Sequence, residues 1–249
     1  NLLSSLLLDD IHIRMEAPYM QYDVFLFDLD DTLMDFSAGE KNAFSLSFES
    51  NGYPNGLSDY RKSYREISTV LWDDLEQGRI TTGELKTERF KRLFDLHGLE
   101  MDAAVFGQTY LDYLGKEAHL IEGVVEMLSG LADYRLAIVT NGFKEVQHSR
   151  IGRSLLNNTF EAIITSEEAN CQKPKADIFE YACKLLNVTD KSRILMIGDS
   201  LSSDILGGNN FGIDTCWYNP QRKENNSAAK PTYEIHDWKE FSFGPVGAV

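Results

Sequence analysis

Basic residues are scarce in this chain of 249 residues: 24 Lys and Arg stand against 39 Asp and Glu, a formal net charge of −15 at pH 7. That balance excludes a nucleic-acid polymer as partner, because polymer binding needs a basic stripe along the phosphate backbone. A small phosphorylated ligand stays open, since one Lys and a divalent cation can reverse the field inside a single cleft. Cysteine is scarce too. Cys171, Cys183 and Cys216 are an odd set with no C-x-x-C pair, which excludes a disulfide framework and fits a reducing cytoplasm. No apolar run approaches the roughly 20 residues of a membrane span, so no membrane partner is expected. Leu2 to Leu8 has no basic flank and runs into Asp9-Asp10, which argues against a signal segment. Residues 1–19 are expected to be an N-terminal extension.

What the chain does have is 43% apolar and 11% aromatic residues, enough to bury a sizeable core. Short apolar runs end in polar clusters: 22–27 into Asp28, 136–139 into Thr140-Asn141-Gly142, 162–164 into Thr165-Ser166, 194–197 into Gly198-Asp199, and 213–217 towards Asn219-Pro220. Runs apolar on both faces suit a buried parallel sheet. Helical patterns over 123–131, 145–156, 175–186 and 203–211 separate the later runs. The alternation predicts an α/β, doubly wound parallel sheet with its ligand outside the carboxyl ends of the strands. Between the first two strands, helical patterns cover 35–50, 58–77, 82–97 and 101–115. We therefore expect an inserted helical domain over 36–117 and a core domain over 20–35 and 118–240.

Asp28-Leu29-Asp30-Asp31-Thr32-Leu33 follows the first strand. Clustered carboxylates repel one another in low dielectric unless a cation or proton neutralises them. The x between Asp28 and Asp30 lets both enter one cleft, one as nucleophile and the other as acid/base. An acidic turn on a solvated edge is the plainer reading. Gly198-Asp199 through Asp204 follows another strand, and its hard oxygen donors suit Mg²⁺; Asp204, like Ser202 or Ser203, could instead cap the next helix. Thr140-Asn141-Gly142 can meet a phosphate oxygen or be an ordinary turn. Pro174 suits a first helical turn, leaving Lys173 free to point inward or outward.

Together these clusters resemble the haloacid dehalogenase superfamily of phosphohydrolases. The family pattern is matched by Asp28-x-Asp30-x-Thr32, Thr140, Lys173, and Gly198-Asp199 with Asp204. The resemblance implies a Rossmann-like sheet of order 5-4-1-2-3 with a helical cap. It makes Asp28 the nucleophile and Asp30 the acid/base. It assigns Mg²⁺ to the Asp28 and Asp199 side chains and the Asp30 backbone carbonyl. Thr140, Asn141 and Lys173 would bind phosphate, with Thr32 and Asp204 supporting from behind. Thr140-Asn141-Gly142-Phe143, the 147–151 segment and Cys216 to Pro220 are similar to the pyrimidine 5′-nucleotidase branch, which implies a nucleoside monophosphate substrate; a monomer or homodimer is expected. The alternatives are a phosphatase of a sugar phosphate or phosphoglycolate, a phosphomutase, a dehalogenase or a non-catalytic nucleotide-binding module. Phe36, Tyr60, Tyr64, Trp72 and Phe90 could stack on a base, although helix packing explains any single one of them.

Overall fold

The fold is taken from a computed structural model that describes Tyr19 and residues 21–241. The expected 1–19 extension lies outside the described residues apart from Tyr19, whose ring packs 4.2 Å from that of Phe241.

Strand β1 is Val24–Phe27 and is buried throughout. Helices α1 (Phe36–Ser50), α2 (Leu57–Glu76), α3 (Thr82–His97) and α4 (Ala103–Leu114) follow it, then α5 (Val124–Ser129) and β2 (Arg135–Thr140). Next come α6 (Lys144–Arg153), β3 (Ala162–Thr165), α7 (Ser166–Ala169), α8 (Ala176–Leu185) and β4 (Ile194–Gly198). A π-helical turn at Leu201–Ile205 leads into α9 (Leu206–Phe211), β5 (Asp214–Tyr218) and β6 (Tyr233–Ile235). Among the described residues every strand pair is parallel, in the order β3-β2-β1-β4-β5-β6. This is the expected order with one edge strand added beyond β5.

Alternation along β1 explains the two-faced core. Phe25 and Phe27 join Leu195, Ile197 and Trp238 on one face, while Val24 and Leu26 join Ala137, Val139 and Phe179 on the other. Side chains two apart share a face, so a run apolar at every position must be covered on both. Phe27 is in register with Ile138 and with Ile197. The residues that follow these three strands therefore emerge side by side at one edge.

Helices α1 to α4 surround an aromatic cluster of their own, including Phe44, Phe48, Phe90, Phe94 and Phe106. Phe143 and Val146 of the sheet side join that cluster, so the helices sit against the edge where the strands end. Their boundaries follow local chemistry. Asp35 caps α1 by accepting from Ala38 N at 2.9 Å, and Asp102 caps α4. Thr81 and Glu84 form a reciprocal capping box on α3. Gly98, at φ 62°, ends that helix in the left-handed conformation glycine adopts without strain.

Three local expectations are corrected. The 203–211 helix is a π turn followed by a short α-helix: Ile205 N donates to the Ser200 carbonyl at 3.1 Å, an i→i+5 bond, and the Ser200 side chain caps the segment through Ser203 N. Asp204 is therefore inside the turn and not its cap. Pro174 precedes α8, which starts at Ala176, instead of lying in its first turn. Strand β6 and helix α7 were not foreseen.

Candidate active site

Strand ends and one loop supply the centre of the site. Asp28 leaves β1 with its N–H bonded to the carbonyl of Ile197 at 2.9 Å, which fixes its backbone against β4. Lys173, 1% exposed, arrives from the loop before α8. Its Nζ donates to Asp28 Oδ1 at 2.6 Å, Asp204 Oδ1 at 2.7 Å and the Val139 carbonyl at 2.6 Å. Three ammonium protons thus have three acceptors. Asn141 holds the Lys173 backbone at both ends: Nδ2 donates to the Lys173 carbonyl at 3.0 Å, and Oδ1 accepts from Lys173 N at 2.9 Å. The Asn141 amide, expected to meet phosphate, is engaged in placing the lysine.

Asp199 lies beside Asp28. The Thr32 hydroxyl is 3.2 Å from Asp199 Oδ1 and 3.4 Å from Asp28 Oδ2, with one proton to give, and accepts from Asp199 N at 3.1 Å. The Trp217 indole N–H donates to the Asp199 carbonyl at 2.9 Å. Asp204 Oδ2 accepts from Ser200 N at 3.0 Å. Gly198 permits this packing, because a Cβ there would lie 2.1 Å from Asp204 Oδ2.

Asp28, Asp199 and Asp204 each bring an oxygen within 4.8 Å of the others. Burial, before the neighbouring charges, pushes the Asp28 carboxyl well above the usual range; Lys173 opposes this and Asp204 and Asp199 add to it. Burial also leads in raising Asp199, to about 7, with Asp204 and Asp31 adding repulsion. Burial alone would lower Lys173, but Asp204 and Asp28 outweigh it and raise it. One cation therefore faces two buried carboxylates, Asp28 and Asp204, and a partly buried third, Asp199. That deficit of positive charge, met by hard oxygen donors, fits a divalent cation such as Mg²⁺.

Asp30 lines the same cavity, of about 210 Å³, as Asp28, Thr140, Asn141, Lys173 and Asp199. Its side chain turns towards α6, where Gln147 Nε2 donates to Oδ2 at 2.8 Å and Arg150 forms an ion pair with Oδ1. Gln147 also donates to Thr140 Oγ1 at 3.0 Å, and Arg150 Nε donates to the Glu117 carbonyl at 2.9 Å. Asp31 does not line this cavity. Its backbone sits at φ 58° and its carboxylate accepts from Phe36 N at 3.1 Å, so it closes the turn into α1.

Sequence reasoning thus brought Asp28, Asp30, Thr32, Thr140, Asn141, Lys173, Asp199 and Asp204 to one place. It gave no site role to Gln147 and Arg150, although they lie in the 147–151 segment, and it missed Arg89; all three line the cavity. Of the aromatic candidates, Phe36 and Trp72 line it. Tyr64 and Phe90 are buried against each other, and Tyr60 stacks on Phe48.

Comparison with known proteins agrees with this geometry. The family model for haloacid dehalogenase-like hydrolases matches residues 22–212. The pyrimidine 5′-nucleotidase PynA of Streptococcus pneumoniae is 39% identical over 89% of this chain and 94% of its own. The pyrimidine 5′-nucleotidase YjjG of Escherichia coli is 30% identical over 89% and 96%. The magnesium-bound crystal structure of the HAD-hydrolase YfnB from Bacillus subtilis superposes with a TM-score of 0.82 at 38% identity, covering 88% of this chain and 96% of that one. With the sheet order, the strand-end carboxylates and these similarities together, the chain belongs to the haloacid dehalogenase-like hydrolase family.

Proposed function

We propose that the protein is a Mg²⁺-dependent phosphate-monoester hydrolase acting on pyrimidine nucleoside 5′-monophosphates through an aspartyl-phosphate on Asp28. The observation that carries the chemistry is the buried Asp28–Lys173–Asp204 chain beside Asp199. The substrate class rests on the pyrimidine nucleotidases to which the chain is similar over most of its length.

Asp28 and Asp199, with the Asp30 backbone carbonyl, would hold Mg²⁺, which would offset phosphate charge. The protein's own steps are these. Thr140 holds one phosphoryl oxygen, and Lys173 holds another by exchanging one of its three protein acceptors for it. An Asp28 carboxylate oxygen forms a bond to phosphorus as the bond from phosphorus to the nucleoside oxygen breaks. Asp30 gives its proton to that leaving oxygen. Asp30 then takes a proton from a water that attacks the same phosphorus, which frees inorganic phosphate and restores Asp28. Splitting the displacement in two lowers each barrier, and fixed charges supply most of the stabilisation. To act, Asp30 must release at least one of its two donors on α6.

Residues 36–117 serve as a cap that chooses the leaving group, and residues 118–240 with 20–35 hold the chemistry. A cytoplasmic enzyme with a small-molecule partner fits this reading. No described helix is long and apolar enough to cross a membrane.

Phosphate release would be measured from UMP, dTMP, AMP and phosphoglycolate, with Mg²⁺, with chelator and with Asp28→Asn. Metal-dependent release led by the pyrimidine nucleotides and lost in the variant is the expected result. Release led by phosphoglycolate would keep the mechanism and remove the substrate assignment. Release by purified Asp28→Asn would overturn the mechanism.

A further inference from the structure

The mechanism above has no use for Arg89, yet this cation lines the reaction cavity. It lies on α3 and is 2% exposed. One terminal nitrogen donates to Tyr64 Oη at 3.1 Å. Nε and Nη2 are buried without an acceptor, so no guanidinium nitrogen donates to a carboxylate among the described residues. The guanidinium carbon lies 4.9 Å from the ring centre of Tyr110, 5.1 Å from Phe90 and 5.2 Å from Phe143. Aromatic faces offset part of the cost of burying a cation. They offer no acceptor to its N–H groups, and unpaired buried donors are costly. A side chain kept in that condition is prepared for an acceptor that arrives from outside.

The chemistry of the wall narrows what that acceptor is. Trp72 and Phe143 line the same cavity, their ring centres 5.9 Å apart. Both rings are flat and largely apolar, which suits contact with a planar ring. Glu76 also lines the cavity and would repel a second anionic group. A neutral planar ring with a carbonyl on its edge meets all three conditions.

We propose that Arg89 is the base-selecting donor of the cleft, giving its unpaired N–H groups to the O2 carbonyl that uracil, thymine and cytosine share, with the ring against Trp72 and Phe143. This rests on the pyrimidine-nucleotidase reading and adds the group that enforces it. Adenine has no exocyclic carbonyl to take these N–H groups.

The test compares kcat/KM for UMP with that for ribose 5-phosphate, which has the same sugar phosphate and no base. It uses the wild type, Arg89→Met and Arg89→Lys. A wild type that does not prefer UMP defeats the nucleotidase reading itself, and the proposal with it. If the wild type prefers UMP, the ratio is expected to fall about 10–100-fold in Arg89→Met, the range for a lost hydrogen bond to a charged group. It should fall partly in Arg89→Lys, which keeps the charge and loses the planar fork. The change should appear mainly in KM. Ratios within twofold of wild type in folded variants would overturn the proposal. A second measurement needs no variant: 2-thio-UMP replaces the O2 acceptor with a weak one, and its kcat/KM on the wild type should fall about tenfold. Equal turnover of UMP and 2-thio-UMP would also overturn it.

Discussion

The two sides of the cleft treat buried charge in opposite ways. On the sheet side, Lys173 gives its three protons to three acceptors, and two carboxylates close around it. On the helical side, Arg89 is as deeply buried but is surrounded by rings and left with two unused donors. A buried charge that is paired holds its neighbours in place, whereas one without a partner remains available to a ligand. The sheet side is thus suited to a step that is the same for every phosphate ester. The helical side is suited to choosing which ester enters.

The contrast can be broken or sharpened by experiment. Asp28→Asn should abolish turnover in a steady-state phosphate assay while leaving the fold intact. Asp30→Asn should lower kcat by about 10²–10⁴-fold, the usual value of a general acid–base, with nucleotide binding retained by calorimetry. Lys173→Met leaves Asp28 and Asp204 buried without a counter-charge and should cost about 3–5 kcal/mol in urea unfolding without metal. Arg89→Met strands no carboxylate, so its stability should stay within about 1 kcal/mol of wild type. An equal cost for the two would erase the distinction between the sides. Thr81→Ala removes the cap of the helix that carries Arg89 and should cost about 1 kcal/mol without moving base preference.

The response to pH follows from Asp199. Its folded value of about 7 exceeds the unfolded value of about 3.9. Between those values the folded protein holds more protons than the unfolded chain. Metal-free stability should therefore be greatest below pH 4 as far as this group is concerned, and should fall as pH rises through 7. Mg²⁺ needs the deprotonated carboxylate, so it should raise the melting temperature more at pH 8 than at pH 5. A larger gain at pH 5 would contradict the assignment of Asp199 to the metal.

How much could be read beforehand differed between the same two sides. Asp28, Asp30 and Asp199 stand at the ends of short apolar runs buried on both faces, and a carboxylate at the end of a buried strand has few structural uses. Gln147, Arg150 and Arg89 lie on helices rich in charge, where a polar residue reads as solvated. A signal was present nonetheless. Arg89 is four residues from Leu85 and from Leu93, both buried, so the helical period puts it on the inner stripe. Gln147 and Arg150 likewise share a stripe with buried Val146 and Ile151. Strand β6 was missed because three residues give too short a pattern. Helix α7 was missed although Thr165 and Glu168 form its capping box.

The pairing of β1 with β4 also bears on how the molecule is made. Thr32 and Asp199 touch across 167 positions of chain. During synthesis β1 emerges early, yet one of its two neighbours is made only after the helical insert and half of the sheet have followed. Contacts of such long range form slowly, because the loop between them must close first. Until then the central strand has an unpaired edge on which nascent chains can associate. Shortened forms that end before β4 should therefore be aggregation-prone as well as inactive.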